Sequence, residues 1–215
     1  MEPLIIQKVR PHRYRTDAVA QALHEVGMQP TDINKYPHQF SGGERQRIAI
    51  ARAIVAKPDL IIADEPLSAL DVSIQSQIIN LLMAIKRTHN LTYLLISHDL
   101  SVVSYLADHV IVMYQGRVIE SGPAESVFRM PLHPYTRQLI SAIPKLGKGK
   151  RQRSTNLSKY SEVHSKHIPA CPYYTRCQKS QEICRFRDPF RVQQAPIIAE
   201  HFAACHFPEE RSQLG

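Results

Sequence analysis

Leu60-Ile61-Ile62-Ala63-Asp64-Glu65-Pro66 is the stretch on which the fold turns. Four apolar residues in a row, closed by two carboxylates and a proline, read as a short strand of the kind that fills a buried parallel sheet. Ligand sites in such sheets lie beyond the C-terminal ends of the strands, where Asp64 and Glu65 are delivered. Successive side chains on a strand alternate in direction, so the two carboxylates suit different tasks. One can order the hydration shell of a Mg²⁺ ion while the other polarises an attacking water. A plain strand running into a charged turn is the competing reading of these residues alone.

Outward from this strand the chain alternates helical and strand patterns up to about Pro144, which predicts an α/β fold with a parallel sheet and helices packed against it. Residues 16–26 carry Val19, Leu23 and Val26 at helical spacing, with Gly27 as the stop. Residues 45–56 repeat the period with Ile48, Ala51 and Val55, and Pro58 closes them. Ile74, Ile78, Leu81, Leu82 and Ile85 trace the core face of the next helix, and residues 92–96 form a second buried strand. Residues 110–113 and 117–119 flank Gln115-Gly116 as a hairpin. Beyond Pro144 the periodicity ends. A basic linker is expected over 145–169 and a small irregular tail, holding all four cysteines, over 170–215.

Three further elements surround the carboxylate strand in a fixed order. Phe40-Ser41-Gly42-Gly43-Glu44 is a Ser-Gly-Gly turn opening into a helix, where free N–H groups and the positive end of the helix dipole suit phosphate oxygens. Taken alone, it also reads as a flexible turn. Ser68-Ala69-Leu70-Asp71 precedes the next helix and offers an ordinary N-cap. The second strand runs into Ser97-His98-Asp99, placing a histidine beside the carboxylate site, where it could meet a terminal phosphate.

Together these four elements resemble the nucleotide-binding subunit of an ATP-binding cassette (ABC) transporter. Phe40 to Glu44 is similar to the family signature motif, with Glu where Gln is usual, and Leu60 to Glu65 resembles Walker B. Ser68 to Asp71 resembles the D-loop, and His98 the switch histidine. The resemblance implies a partial P-loop ATPase domain over residues 1–144, using ATP and Mg²⁺. It implies that Asp64 orders Mg²⁺ through water, Glu65 is the general base, and His98 senses the γ-phosphate. Asp71 would couple the two sites of a head-to-tail dimer. Ser41, Gly42, Gly43 and Glu44 would hold the γ-phosphate of an ATP bound to the second ATPase subunit.

Tyr36 to Phe40, Ile62 to Pro66 and Met130 to Thr136 narrow the resemblance to the oligopeptide/dipeptide importer ATPases, whose relatives also serve nickel and antimicrobial-peptide uptake. Cys171, Cys177, Cys184 and Cys205 are similar to the C-terminal cysteine region of that branch, some members of which hold an iron–sulfur cluster. A [4Fe-4S] cluster on these four thiolates is therefore a candidate cofactor. Zinc held with His201 or His206, and free thiols, are the alternatives. The implied partners are the second ATPase subunit, transmembrane permease subunits and, indirectly, a solute-binding protein. The implied location is peripheral, on the cytoplasmic face of the membrane.

Two family elements have no counterpart. The Gly-x-x-x-x-Gly-Lys-Ser/Thr loop that wraps the β- and γ-phosphates does not occur in the 215 residues, and the Q-loop is missing too, since nothing around Gln7, the only early candidate, supports that role. The chain is therefore expected to bind ATP weakly in cis and to be a truncated, split or degenerate subunit. Its alternative role is a non-catalytic donor or regulatory module that completes the ATP site of an intact partner. Composition sets the remaining bounds: 43% hydrophobic and 21% charged residues describe a globular chain, without a secretory leader or an 18-residue apolar span. Much of the +8 net charge falls in residues 145–166, so nucleic acid is not an expected partner. Soluble DNA-repair or translation ATPases share the signature, but residues 131–205 fit the transporter branch better.

Overall fold

A computed structural model describes residues 2–6, 12–143, 170–189 and 200–209, so the expected linker lies outside the described residues. The chain packs as two compact units, residues 1–106 and 107–215.

The first unit is α/β. Helices α1 (Glu2–Ile6), α2 (His12–Glu25) and α3 (Gly42–Ile54) precede strand β1 (Leu60–Asp64), helix α4 (Val72–His89), strand β2 (Thr92–Ile96) and helix α5 (Leu100–Leu106). Gly27 ends α2 with φ +75°, a left-handed backbone that glycine adopts without steric cost. The carbonyl of Val26 there accepts a hydrogen bond from Arg47 Nη1 at 2.7 Å, which ties α2 to α3. The expected core faces are present. Leu23 and Val26 of the first helical stretch, Ala51 of α3, and Ile78, Leu82 and Ile85 of α4 are all buried in one cluster. α3 begins three residues before the expected start, because Ser41 caps it and brings both glycines into the helix.

β1 and β2 pair in parallel, Leu60 opposite Thr92 through Asp64 opposite Ile96, with α4 as the crossover. The expectation that these strands are buried on both faces is corrected. Ile61, Ala63, Tyr93 and Leu95 face the helices, whereas Leu60, Ile62, Leu94 and Ile96 are exposed, Ile62 at 63%. A continuous apolar run does not say how many layers cover it, and in the described residues this sheet has two strands with helices on one face.

In the second unit, β3 (His109–Tyr114) and β4 (Arg117–Pro123) form the expected hairpin. Its two central residues, Gln115 and Gly116, both have positive φ, as the tight hairpin turn requires. A third strand, β5 (Phe202–Ala203), pairs with β4. Helices α6 (Ala124–Arg129), α7 (Pro134–Ser141) and α8 (Ile183–Phe186) complete the unit. At its centre Glu120 and His201 are fully buried, with His201 Nε2–H donating to the Glu120 carboxylate at 2.8 Å. The same carboxylate accepts the N–H groups of Leu132 and His133, each at 2.8 Å. These three bonds satisfy a charge that would otherwise be costly to bury. An added Cβ at Gly122 would meet the His201 ring at 2.9 Å, so glycine there makes room for the imidazole.

The asymmetry of the first unit is measurable. Ile78→Ala, at a fully buried α4 position, is expected to cost about 2–5 kcal/mol. Ile62→Ala, on the exposed sheet face, should stay within about 0.5 kcal/mol. Urea unfolding of the two variants reads the difference directly.

Candidate functional site

The carboxylate site is built by strand register. The β1–β2 ladder runs to Asp64 opposite Ile96, and one further bond follows it, from the Glu65 N–H to the Ile96 carbonyl at 2.9 Å. Equal strand ends leave Glu65 and His98 as neighbours. His98 Nδ1–H donates to Glu65 Oε1 at 2.6 Å, although the two residues lie 33 apart in sequence. The pair is open to solvent, with the His98 side chain 74% exposed. Hydrogen bonding to Glu65, then its charge, holds the His98 pKa above the ordinary histidine value, and Asp99 adds to the effect. The protonated ring keeps Nε2–H as a second donor while Nδ1–H serves Glu65, so it can grip an anion at its far edge. Asp64 is exposed at the end of β1, as a carboxylate holding Mg²⁺ through water would be.

Glu65 has φ +47°, left-handed and uncommon for a residue with a side chain. Its carbonyl accepts the Ser68 N–H at 3.3 Å and the Ser68 hydroxyl at 3.1 Å. Asp71 caps α4 by accepting the Ile74 N–H at 3.1 Å and the Ser73 hydroxyl at 3.0 Å. The Ser-Gly-Gly turn lies against this loop. A Cβ on Gly43 would approach Ile74 Cγ2 to 2.8 Å, and one on Gly42 would meet Leu70 Cδ2 at 3.6 Å. Gly43 is thus required by close approach. The structure brings residues 41–44 beside residues 70–74, and it brings Glu65 beside His98.

The turn itself departs from a bare anion site. Ser41 and Glu44 form a capping box: the Ser41 N–H and hydroxyl each donate to Glu44 Oε2 at 2.8 Å, and the Glu44 N–H donates to Ser41 Oγ at 3.3 Å. The backbone and hydroxyl bonds from Ser41 hold the Glu44 pKa below the usual carboxylate value. An incoming phosphate would have to displace this carboxylate to reach the Ser41 hydroxyl.

Cys171, Cys177, Cys184 and Cys205 belong to the second unit, and all are free thiols. The Cys171 N–H donates to the Cys184 carbonyl at 2.9 Å, and Cys171, Cys177 and Cys184 pack with Tyr114, Tyr135, Tyr173, Tyr174 and Phe207. Burial pushes the thiols of Cys171 and Cys177 up, and that of Cys205 up to about 12, with the neighbouring thiols adding to each shift. Cluster or zinc ligation needs thiolates, so a bound metal would have to draw these protons off. Among the described residues no group of three or more His, Cys, Asp or Glu is arranged to hold a metal ion. This arrangement does not show the iron–sulfur cluster expected on these four residues. Glu120 engages His201 through Nε2, and the Arg187 carbonyl lies 2.9 Å from His206 Nε2. Among the described residues, no helix is long and apolar enough to cross a membrane.

The ABC transporter family model matches residues 4–68, and that of the oligopeptide/dipeptide transporter C-terminal region matches residues 119–184. The oligopeptide transport ATP-binding protein AppF of Bacillus subtilis is 45% identical over 210 residues, 95% of this chain and 62% of the relative. The dipeptide transport ATP-binding protein DppF of Haemophilus influenzae is 45% identical over 190 residues, 87% of this chain and 58% of the relative. The di/tripeptide transport ATP-binding protein DppF of Pseudomonas aeruginosa is 41% identical over 97% of this chain and 64% of its own length. The chain therefore spans about three-fifths of the length of these relatives. Among solved structures, an ATP-binding cassette of an ABC transporter in its ADP conformation superposes with TM-score 0.54 at 22% identity, covering 62% of this chain and 52% of the other. A chain of an inward-facing ABC transporter gives the same TM-score at 26% identity, covering 63% and 51%.

The Glu65–His98 pair makes a prediction of its own. Because the folded His98 pKa is raised, the pair contributes fully below the unfolded histidine value and its contribution is lost as pH rises through the folded value. Glu65→Gln should return His98 toward the ordinary value, read as a downward shift in the NMR titration of its ring protons.

Proposed function

Since the chain belongs to the ABC transporter ATP-binding family and carries the C-terminal region of its oligopeptide/dipeptide branch, we propose that it binds and hydrolyses ATP to energise peptide uptake. The observation that carries this reading is the hydrogen-bonded Glu65–His98 pair at the C-terminal ends of two parallel strands. In this proposal Glu65 takes the proton of the attacking water, and His98 holds Glu65 through Nδ1 while offering Nε2–H to the γ-phosphate. Bound Mg²⁺, held through water by Asp64, would neutralise charge on the phosphates. Asp71 fixes the start of α4 beside the Ser-Gly-Gly turn and would link the two sites of a head-to-tail pair of ATPase subunits. Ser41, Gly42 and Gly43 would present N–H and hydroxyl donors to the γ-phosphate on the second subunit once Glu44 has swung off Ser41.

We assign residues 1–144 to the nucleotide-binding domain, 145–169 to a basic linker and 170–215 to the cysteine region. Permease subunits would receive the closing motion of the ATPase pair, and the protein would sit peripherally on the cytoplasmic face of the membrane. A second reading keeps the Ser41–Glu44 half-site without catalysis at Glu65. It makes the chain a donor that completes an intact subunit's ATP site.

Steady-state ATP hydrolysis separates the two readings. The first predicts turnover by the purified chain that Glu65→Gln lowers by about 10²–10⁴-fold, the scale of a general base. Unchanged turnover in that variant rejects it. A chain that is silent alone, yet accelerates hydrolysis by added AppF whether or not Glu65 is replaced, supports the second.

A further inference from the structure

The left-handed backbone of Glu65 has to be held in place, because a side-chain-bearing residue leaves that region when its surroundings relax. On one side the Glu65 N–H is fixed to the Ile96 carbonyl. On the other, the Glu65 carbonyl is held, among the described residues, by the N–H and the hydroxyl of Ser68. The aim of the carboxylate thus depends on where Ser68 stands.

Ser68 stands in a turn that a side chain on α4 ties down. Gln75 Nε2 donates to the Leu67 carbonyl at 3.1 Å and to the Leu70 carbonyl at 3.1 Å, bracketing Ser68 from both sides. The turn closes on itself through the Leu70 N–H to the Leu67 carbonyl at 3.2 Å, and its inner end is set by the buried Leu67 side chain. Gln75 is itself fixed, since its N–H donates to the Asp71 carbonyl at 2.9 Å in the first turn of α4. A primary amide suits this position because it carries two N–H donors on one nitrogen for two carbonyls. A carboxylate would place lone pairs against them.

We propose that Gln75 is a positioning residue for Glu65: by clamping the 67–70 turn to α4 it holds Ser68 against the Glu65 carbonyl and so aims the carboxylate at His98. The inference rests on the reading of Glu65 as the base of the hydrolytic site, and it concerns a residue that touches neither nucleotide nor His98. Gln75 acts at two removes, through Ser68 and then the Glu65 backbone.

The test uses the whole chain and needs no nucleotide. His98 is titrated by NMR in the wild type and in Glu65→Gln, Gln75→Met and Ser68→Ala. Methionine keeps the length of glutamine and removes both donors. Asp99 is the other charged group acting on His98 and is untouched in every variant. The expected result is that Gln75→Met, with the remaining amide spectrum native-like, loses most of the His98 elevation that Glu65→Gln removes, and that Ser68→Ala shifts His98 the same way. A folded Gln75→Met that keeps the wild-type His98 titration, while Glu65→Gln loses it, overturns the positioning role and leaves the pair intact. If Glu65→Gln itself leaves His98 unmoved, the pairing fails, and the functional reading and this inference fall together. Should Gln75→Met not fold, Gln75→Leu, which also removes both donors, decides: an unshifted His98 in that variant overturns the proposal.

Discussion

The parallel register of β1 on β2 is the constraint from which the candidate site follows. Leu60 opposite Thr92 and Asp64 opposite Ile96 make the two strands end level, and the bond from Glu65 to Ile96 carries that alignment one residue further. A slip of one residue would reverse the face of every side chain on one strand. It would turn Ile61 and Ala63 out of the helical core and part Glu65 from His98. Packing therefore enforces the chemistry: Tyr93 and Leu95 lie against the same α2–α4 cluster that holds Ile61, and this selects the register. The carboxylate–imidazole contact at 2.6 Å is its product.

The second unit is organised by a different interaction, a carboxylate with no access to water. Glu120 receives His201 and the N–H groups of Leu132 and His133, which joins β4 to the segment before α7 and to the residue preceding β5. Burial drives the His133 pKa down to about 4, so this ring stays neutral near physiological pH. Its Nδ1 then accepts the Tyr135 N–H and caps α7. Nearby, the buried Glu209 takes salt bridges from Arg137 at 2.9 Å and Lys179 at 2.7 Å, and its N–H donates to the Leu132 carbonyl. The cysteine segment is thus pinned by ordinary ion pairs and aromatic packing. Cys171 and Cys184 are buried within that packing.

Much of the fold was legible because its signals are local. Helical periodicity marked Ile78, Leu82 and Ile85, Gln115-Gly116 marked the hairpin turn, and the four motifs fell on the strand ends and helix starts where the structure has them. What depended on distant partners was not legible. The bare face of Leu60, Ile62, Leu94 and Ile96 reflects how many layers cover a sheet, which an apolar run does not encode. Glu120 and His201 stand 81 residues apart, and neither flank announces that the two are buried together. Gln75 carried no motif, since its role arises only when the turn folds back on α4. Ser41-x-x-Glu44 is an instructive middle case. Its spacing is that of a capping box, and the glycines between drew the reading toward an anion site instead.

The central claim is that Glu65 and His98 act as one unit at the γ-phosphate. A double-mutant cycle on the rate of ATP hydrolysis, with Glu65→Gln, His98→Ala and the two combined, tests it most directly. Residues acting as a unit are strongly non-additive, so the double variant should be no slower than the worse of the two single variants. Losses that simply multiply, or a wild-type chain with no turnover to lose, would contradict the account.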